Sequence, residues 1–154
     1  MEKIMAILSV IYVVATYNVQ AQEIGQNQRQ SIVVTEVIDG DTIDATLLEQ
    51  KKNVRIRLAD IDCPEISKKS GNFNKQIKEW KLSEEELKEK GREAKEKLSA
   101  LVTLNEDNLY FEYTPQKICG NEKRKVGILW TGDDVNINEY MLKKAGCKPY
   151  SCIK

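Results

Sequence analysis

The chain has 154 residues, 24 basic and 24 acidic side chains, and no histidine. Its zero formal charge argues against a broad basic surface that would grip nucleic acid by bulk electrostatics. The lack of histidine excludes a Ser-His-Asp triad and any histidine-ligated metal. Carboxylates, arginines, lysines and four cysteines remain, which favours a hard metal ion held by oxygen atoms, or no catalysis.

The N-terminal segment has the order of a cleavable secretory signal. Lys3 precedes an apolar run over residues 4–15, and small side chains follow at Val19 and Ala21. This order predicts a signal peptide over residues 1–21, cut before Gln22, and a secreted or periplasmic protein. The alternative is an uncleaved membrane anchor, for which the apolar run is short.

Three strand-like segments open the mature chain after a polar, flexible linker at residues 22–30. Residues 32–38 are rich in β-branched side chains, whereas residues 41–48 and 54–61 alternate polar and apolar positions. Asp39-Gly40 predicts a tight turn between the first two strands. We therefore expect a three-stranded meander at the start of a folded domain that spans residues 31–154.

The second half of the chain predicts helices around two further strands. Residues 63–82 have no clean period and indicate an irregular, basic loop. Ser83 and Glu86 then have the spacing of a capping box, and apolar side chains recur at helical spacing up to Leu101. The strand and helix patterns that complete the chain lie at residues 109–113, 125–131 and 136–144.

The order of these elements predicts an α+β, mostly β fold. Five strands, with a helix between strands 3 and 4 and a short helix after strand 5, form the OB-fold barrel. This barrel commonly binds nucleic acids or sugars. The fold alone does not establish the function.

Three short motifs carry residues suited to phosphate chemistry. They are Val37-Ile38-Asp39-Gly40-Asp41-Thr42, the stretch from Arg57 to Glu65, and the stretch from Arg124 to Leu129. Each motif alone has a structural explanation, as a hairpin turn, a strand end or a solvated charge. As an ordered set, with Gly91-Arg92-Glu93-Ala94 between the second and third, they are far more specific.

This set resembles the staphylococcal nuclease (thermonuclease) family over residues 33–147. The family pattern is D-G-D-T, then R-L-x-x-I-D-x-P-E, then G-x-E-A, then an arginine that opens the fifth strand, then V-N. Val135-Asn136 and Asn138-Glu139 both resemble the last element. The resemblance implies an SNase-like domain that hydrolyses phosphodiester bonds of DNA and RNA with Ca²⁺.

The resemblance also implies metal ligands and a base. Asp41 and Asp62 would supply carboxylates to Ca²⁺, and Cys63 would supply its backbone carbonyl, an all-oxygen set that suits a hard cation. Glu65 would orient or deprotonate the attacking water.

The remaining implied roles concern the substrate. Arg57 and Arg124 would hold the scissile phosphate from two sides, and Tyr150 would stack on a base. Phe73 and Trp80 are interleaved with lysines, which indicates either a nucleic-acid contact or a solvated loop with its aromatic side chains against the barrel.

Three hypotheses about function follow, of which the third is a structural envelope protein held by an uncleaved leader. The first is a secreted, monomeric, Ca²⁺-dependent nuclease with no stable membrane association after cleavage of the signal. The alternative is a non-catalytic OB-fold module that binds nucleic acid or protein. The presence of both carboxylates, the base and the arginine pair favours the enzyme.

Secretion makes a disulfide plausible among the later cysteines. A Cys147–Cys152 bond would close a small loop and hold the tail, and a Cys119–Cys147 bond would join the hairpin to the last helix. We expect a bond that involves Cys147. Cys63 is expected to be a small buried hydrophobic residue with no redox role.

Overall fold

A computed structural model describes residues 28–114 and 123–151. The predicted signal peptide, its cleavage site and linker residues 22–27 lie outside this part of the chain. The strands are β1 (Arg29–Val37), β2 (Thr42–Leu47), β3 (Lys52–Leu58), β4 (Ile61–Asp62), β5 (Leu109–Tyr113), β6 (Lys125–Thr131) and β7 (Lys148–Pro149). The helices are α1 (Phe73–Trp80), α2 (Glu84–Leu104) and α3 (Ile137–Lys144). Across the described ranges, no helix is both long and apolar enough to cross a membrane.

Five strands close into a barrel in the order β1-β2-β3-β6-β5. Neighbouring strands are antiparallel except for β3 and β6, which run parallel. This closure, with α2 between the third and fourth barrel strands and α3 after the fifth, is that of an OB-fold. The predicted fold class is therefore confirmed.

Helix α2 closes the barrel and supplies much of its core. Its Leu87, Ala94 and Leu98 are fully buried at the spacing of one helix face. The predicted capping box is present: the Ser83 backbone N–H donates to Glu86 Oε2 at 2.7 Å, and the Glu86 N–H donates to Ser83 Oγ at 3.2 Å. These bonds satisfy two of the donors that a helix N-terminus leaves open.

The start of β1 and the presence of α1 differ from the sequence expectation. Strand β1 begins at Arg29, inside the predicted linker, because residues 29–32 pair with β5. The predicted irregular loop contains helix α1. Its Phe73 and Gln76 are buried, and Phe73, Ile77 and Trp80 have the spacing of one helix face, a signal that the sequence expectation missed.

The disulfide joins Cys63 to Cys147. The prediction that Cys147 is bonded is therefore confirmed, but both proposed partners are wrong. Cys63 is buried, as expected, but it is oxidised in this disulfide. Strand β7 pairs with β4, which brings Cys147 beside the turn after β4. This pairing is tertiary and leaves no signal in the spacing of the cysteines. Cys119 and Cys152 lie outside the described residues.

Candidate active site

The turn between β1 and β2 places Asp41 next to β3. Thr42 pairs with Arg57 in the β2–β3 register, and the Leu58 N–H donates to the Asp41 carbonyl at 2.8 Å. Within the turn, the Asp41 N–H donates to Asp39 Oδ1 at 3.0 Å, a bond that stabilises tight turns. The Asp39-Gly40 turn therefore fixes the position of Asp41 relative to β3.

Arg57 joins the two candidate metal-binding carboxylates. Its Nη1 lies 2.8 Å from Asp41 Oδ1, and its Nη2 lies 3.4 Å from Asp62 Oδ1. Nη1 also donates to the Leu58 carbonyl at 3.2 Å. The arginine side chain is only 8 % exposed, so it forms a buried ionic centre rather than a solvated charge.

The segment after β3 brings Asp62, Cys63 and Glu65 to the same place. The Cys63 N–H donates to Asp41 Oδ2 at 2.7 Å, which ties this segment to the β1–β2 turn. Strand β4 ends at Asp62, and Pro64 then turns the chain toward Glu65. The three candidate oxygen ligands, two carboxylates and one carbonyl, thus come from two adjacent turns.

Two amide side chains also belong to the site, and the sequence did not identify them. Asn72 Nδ2 lies 3.1 Å from both carboxylate oxygens of Asp62. Gln76 Nε2 donates to Asp62 Oδ2 at 3.0 Å and to the Cys63 carbonyl at 2.8 Å. Their spacing of four residues is typical of one helix face. Because no helix was predicted there, the spacing could not be recognised as a shared face.

Glu65 is partly sheltered from solvent in the same cleft. Burial raises the pKa of Glu65 from its ordinary value, and a hydrogen bond from Ser70 opposes part of that shift. Its backbone N–H donates to Gln76 Oε1 at 2.8 Å. A carboxylate whose pKa is raised is a better proton acceptor close to neutral pH.

Burial also raises the pKa of Asp41 well above its usual range. The positive charge of Arg57 opposes this effect, while the negative charge of Asp39 adds to it. The ionised form of Asp41 is therefore stabilised by its cationic partner Arg57, or by a bound cation.

Arg124 lies immediately before β6 and close to Arg57. The parallel pairing of β3 with β6 matches Arg57 with Val126, so Arg124 lies two residues before the partner of Arg57. Burial lowers the pKa of Arg124, and the charge of Arg57 lowers it further, whereas nearby carboxylates oppose both effects. Two guanidinium groups thus share one small region.

Tyr150 reaches the site through the two-stranded sheet. Its N–H donates to the Asp60 carbonyl at 3.0 Å, next to the pairing of Ile61 with Pro149. The ring is partly exposed, and Lys75 Nζ lies 6.0 Å from its centre. By contrast, Phe73 is fully buried and has no face to offer a base.

The predicted site residues surround one cleft of about 480 Å³. A second, wider cleft continues from it across the barrel and includes Lys69, Lys123 and Arg55. Cys63 is the predicted site residue that does not line the first cleft; its carbonyl faces Gln76. The residues that line the first cleft are Asp39, Asp41, Thr42, Arg57, Asp62, Glu65, Ser70, Gly71, Asn72, Arg124 and Tyr150.

The oxygen atoms of Asp41, Asp62 and Cys63 fit a hard cation in kind, since carboxylate and carbonyl oxygens are the ligands that Ca²⁺ prefers. No cluster of three or more acidic, cysteine or histidine side chains with metal-binding geometry occurs within residues 28–114 and 123–151. Each of the three groups also accepts a hydrogen bond from a protein N–H. Any cation here would compete with those donors.

Comparison with known proteins assigns the chain to a family. The family model described as staphylococcal nuclease homologue matches residues 55–151, more than half of the chain. A search of curated proteins finds no match. The matched region contains Arg57, Arg124, Asp62, Glu65 and Tyr150, and the observed barrel has the OB-type closure that the order of the predicted elements indicated. This chain therefore belongs to the staphylococcal nuclease family.

Proposed function

We propose that this protein is a Ca²⁺-dependent nuclease that hydrolyses phosphodiester bonds of DNA and RNA. The family is one of nucleases and nucleic-acid-binding proteins. The observation that carries the narrower proposal is a single cleft lined by two arginines, Arg57 and Arg124, together with four carboxylates, those of Asp39, Asp41, Asp62 and Glu65.

The arginines suit the charge of the reaction. A phosphodiester is negative and gains charge as its phosphorus becomes five-coordinate, so fixed cationic donors stabilise the transition state. Within the described part of the chain, the bonds of Arg57 are made by Nη1 and Nη2, which leaves the Nε–H edge for a phosphate oxygen. Arg124 adds a second charge to the same cleft.

Glu65 is the proposed general base. It lines the cleft, and burial raises its pKa, so it would take a proton from water more readily than an ordinary glutamate. Its backbone is fixed by Gln76, which limits the positions available to the side chain.

The proposed metal ligands are Asp41, Asp62 and the Cys63 carbonyl. When bound, Ca²⁺ would stabilise the negative charge that develops on the phosphate. The two carboxylates would neutralise the ion, and Arg57 already holds them close together.

A cleavage assay tests this function. The mature, secreted protein is incubated with single-stranded DNA in Ca²⁺ or in excess chelator, and we expect cleavage only with Ca²⁺. Glu65→Gln should reduce the rate by about 10² or more without lowering the unfolding midpoint, because a neutral amide removes the cost of a buried charge. The matched control is Glu85→Gln, which changes an exposed glutamate on α2 and should cleave normally.

The outcomes separate the two candidate functions. Equal cleavage by wild type and Glu65→Gln would contradict the role of Glu65. DNA binding without cleavage in any of these conditions would favour the non-catalytic OB-fold module. The hydrogen bonds that occupy the candidate metal ligands are the observation that keeps this alternative open.

We also propose that the mature protein is secreted and acts as a monomer. The Cys63–Cys147 disulfide supports secretion, because disulfides persist in oxidising compartments. The residues to which the proposed function gives roles all belong to a single chain, so the proposed site does not require a second copy. Mass spectrometry of the secreted protein should find Gln22 at its N-terminus.

A further inference from the structure

Gln76 contacts the main chain on both sides of Pro64. Its Oε1 accepts the Glu65 N–H at 2.8 Å, and its Nε2 donates to the Cys63 carbonyl at 2.8 Å and to Asp62 Oδ2 at 3.0 Å. The side chain is 1 % exposed. One buried amide thus joins three residues to which the proposed function gives roles.

The orientation of this amide is fixed by its neighbours. A backbone N–H can only donate and a carbonyl can only accept. Turning the carboxamide over would therefore set donor against donor at Glu65 and acceptor against acceptor at Cys63. Buried polar groups without partners are costly, so a single arrangement is stable.

The helix that carries Gln76 is itself anchored. Phe73, three residues earlier on the same face of α1, is fully buried, and the Gln76 N–H donates to the Asn72 carbonyl at 2.9 Å. Pro64 has no N–H and cannot donate a backbone hydrogen bond that would fix the turn. The amide therefore supplies from α1 the pairing that a neighbouring strand would otherwise give.

We propose that Gln76 is a positioning residue for this site, which holds the Glu65 backbone, the Cys63 carbonyl and the Asp62 carboxylate in their working arrangement. It acts through these three residues and does not itself line the cleft that would receive the substrate. The proposal rests on the proposed function, and it assigns to α1 a role in catalysis that the sequence pattern did not reveal.

Gln76→Met tests the proposal, because methionine has a similar shape and none of the three bonds. By hydrogen-exchange NMR, we expect the Glu65 amide to exchange about tenfold faster or more, while the Leu58 and Leu129 amides of the barrel keep their rates. At a temperature where the variant is folded, kcat on single-stranded DNA should fall about tenfold or more. Asn74→Leu likewise replaces an amide with an apolar side chain, at an exposed position of α1, and should change neither readout.

Gln76→Glu is the second variant and decides the matter if the methionine variant does not fold. It retains the acceptor for Glu65 but loses the two donated bonds, so the Glu65 amide should stay protected to within about twofold while kcat still falls. A purely structural role would instead lower the melting temperature and leave kcat of the folded variants at the wild-type value, which would overturn the proposal. Wild-type protein that does not cleave DNA would overturn the proposed function, whereas the exchange rate of Glu65 would still show whether Gln76 holds the turn.

Discussion

Arg57 shows how a single side chain takes its role from its surroundings. Strand alternation directs it away from the barrel interior, opposite to Ile56 and Leu58, as the sequence indicates. It is nevertheless buried, because the turns that carry Asp41 and Asp62 close over it. A buried charge persists only when it is paired, and here one guanidinium offsets two carboxylates that would otherwise repel each other.

Removing this arginine should therefore destabilise the protein as well as inactivate it. Arg57→Ala leaves two carboxylates without their cation, and loss of one partner from a buried pair costs about 3–5 kcal/mol. Arg55→Ala, two residues earlier in β3, breaks an exposed pair with Asp44 and should cost about 0–1 kcal/mol. Urea unfolding of both variants measures the difference, and equal losses would show that the buried centre is not special.

The environment of Glu65 predicts a pH dependence. Burial raises its pKa, and the Ser70 hydrogen bond lowers it. A base must be ionised to act, so the acid limb of kcat/KM should lie at a higher pH than for an ordinary glutamate. Ser70→Ala removes the opposing bond, and we expect that limb to move to still higher pH.

The matched control for this change is Ser67→Ala, at a serine whose hydroxyl accepts a bond from Lys69 rather than serving Glu65. Its profile should match that of the wild type. Values of kcat/KM measured across the acid range at saturating Ca²⁺ give the acid limb of the wild type and of each variant. A limb that stays in place or moves to lower pH in Ser70→Ala would refute the assigned role of the bond.

At the scale of elements, helix α2 approaches the turn that carries Pro64 and Glu65 at one glycine. A Cβ at Gly91 would lie 2.8 Å from the Pro64 carbonyl oxygen and 3.0 Å from Ile66 Cγ1. By helix propensity alone, this glycine weakens the helix, since glycine is a poor helix former. The structure gives the reason for its presence: the backbone of the Glu65 turn packs directly on it.

Gly91→Ala should therefore lower stability although alanine favours helix. The gain of about 1 kcal/mol in helix propensity is opposed by overpacking against backbone, which costs about 1–3 kcal/mol. We also expect lower nuclease activity, because the turn that must shift carries Glu65. Gly71→Ala, with no neighbour within 4 Å of the new Cβ, is the stability control in thermal unfolding. A higher midpoint for Gly91→Ala would contradict the close approach.

The elements also differ in how readily the sequence predicts them. Helix α2 is signalled by a capping box and by apolar side chains at helical spacing, both of which are local. Helix α1 has eight residues and buries only Phe73 and Gln76. Its place depends on the bonds of Gln76 to a turn eleven residues earlier, and a pattern of apolar residues cannot report such a contact.

At the scale of the whole molecule, one disulfide links the turn after β4 to the segment between α3 and β7. Cys63 and Cys147 are both buried and are 84 residues apart in sequence. Closing a loop of this length restricts the unfolded chain strongly, and removal of a native disulfide commonly costs about 2–5 kcal/mol. The bond therefore stabilises the fold and the position of the Cys63 carbonyl together.

Reduction should lower both stability and activity. We expect Cys63→Ala/Cys147→Ala to lose about 2–5 kcal/mol of unfolding free energy, as should the wild type in dithiothreitol. Dithiothreitol should not lower the unfolding free energy of the double variant further, so this variant is the control for other effects of the reductant. Four free thiols in the secreted wild-type protein, counted by alkylation and mass spectrometry, would rule the bond out.

By itself, the sequence determined the fold class, the family and the residues suited to phosphodiester chemistry. Each of these depends on residues that are close together in sequence: alternation in strands, spacing in helices, and short motifs such as Asp39-Gly40-Asp41. The absence of histidine restricted the chemistry to carboxylates and arginines, and the neutral net charge allowed positive charge to be concentrated where the two arginines lie.

Only the tertiary structure decided how those residues are held. The partner of Cys147, the burial of Arg57 and the part played by Gln76 all depend on segments far apart in sequence that meet when the barrel closes and β7 pairs with β4. Such contacts are fixed by the packing of the whole chain rather than by neighbouring residues. They therefore leave no periodic or motif signal, although they set the geometry on which the proposed chemistry depends.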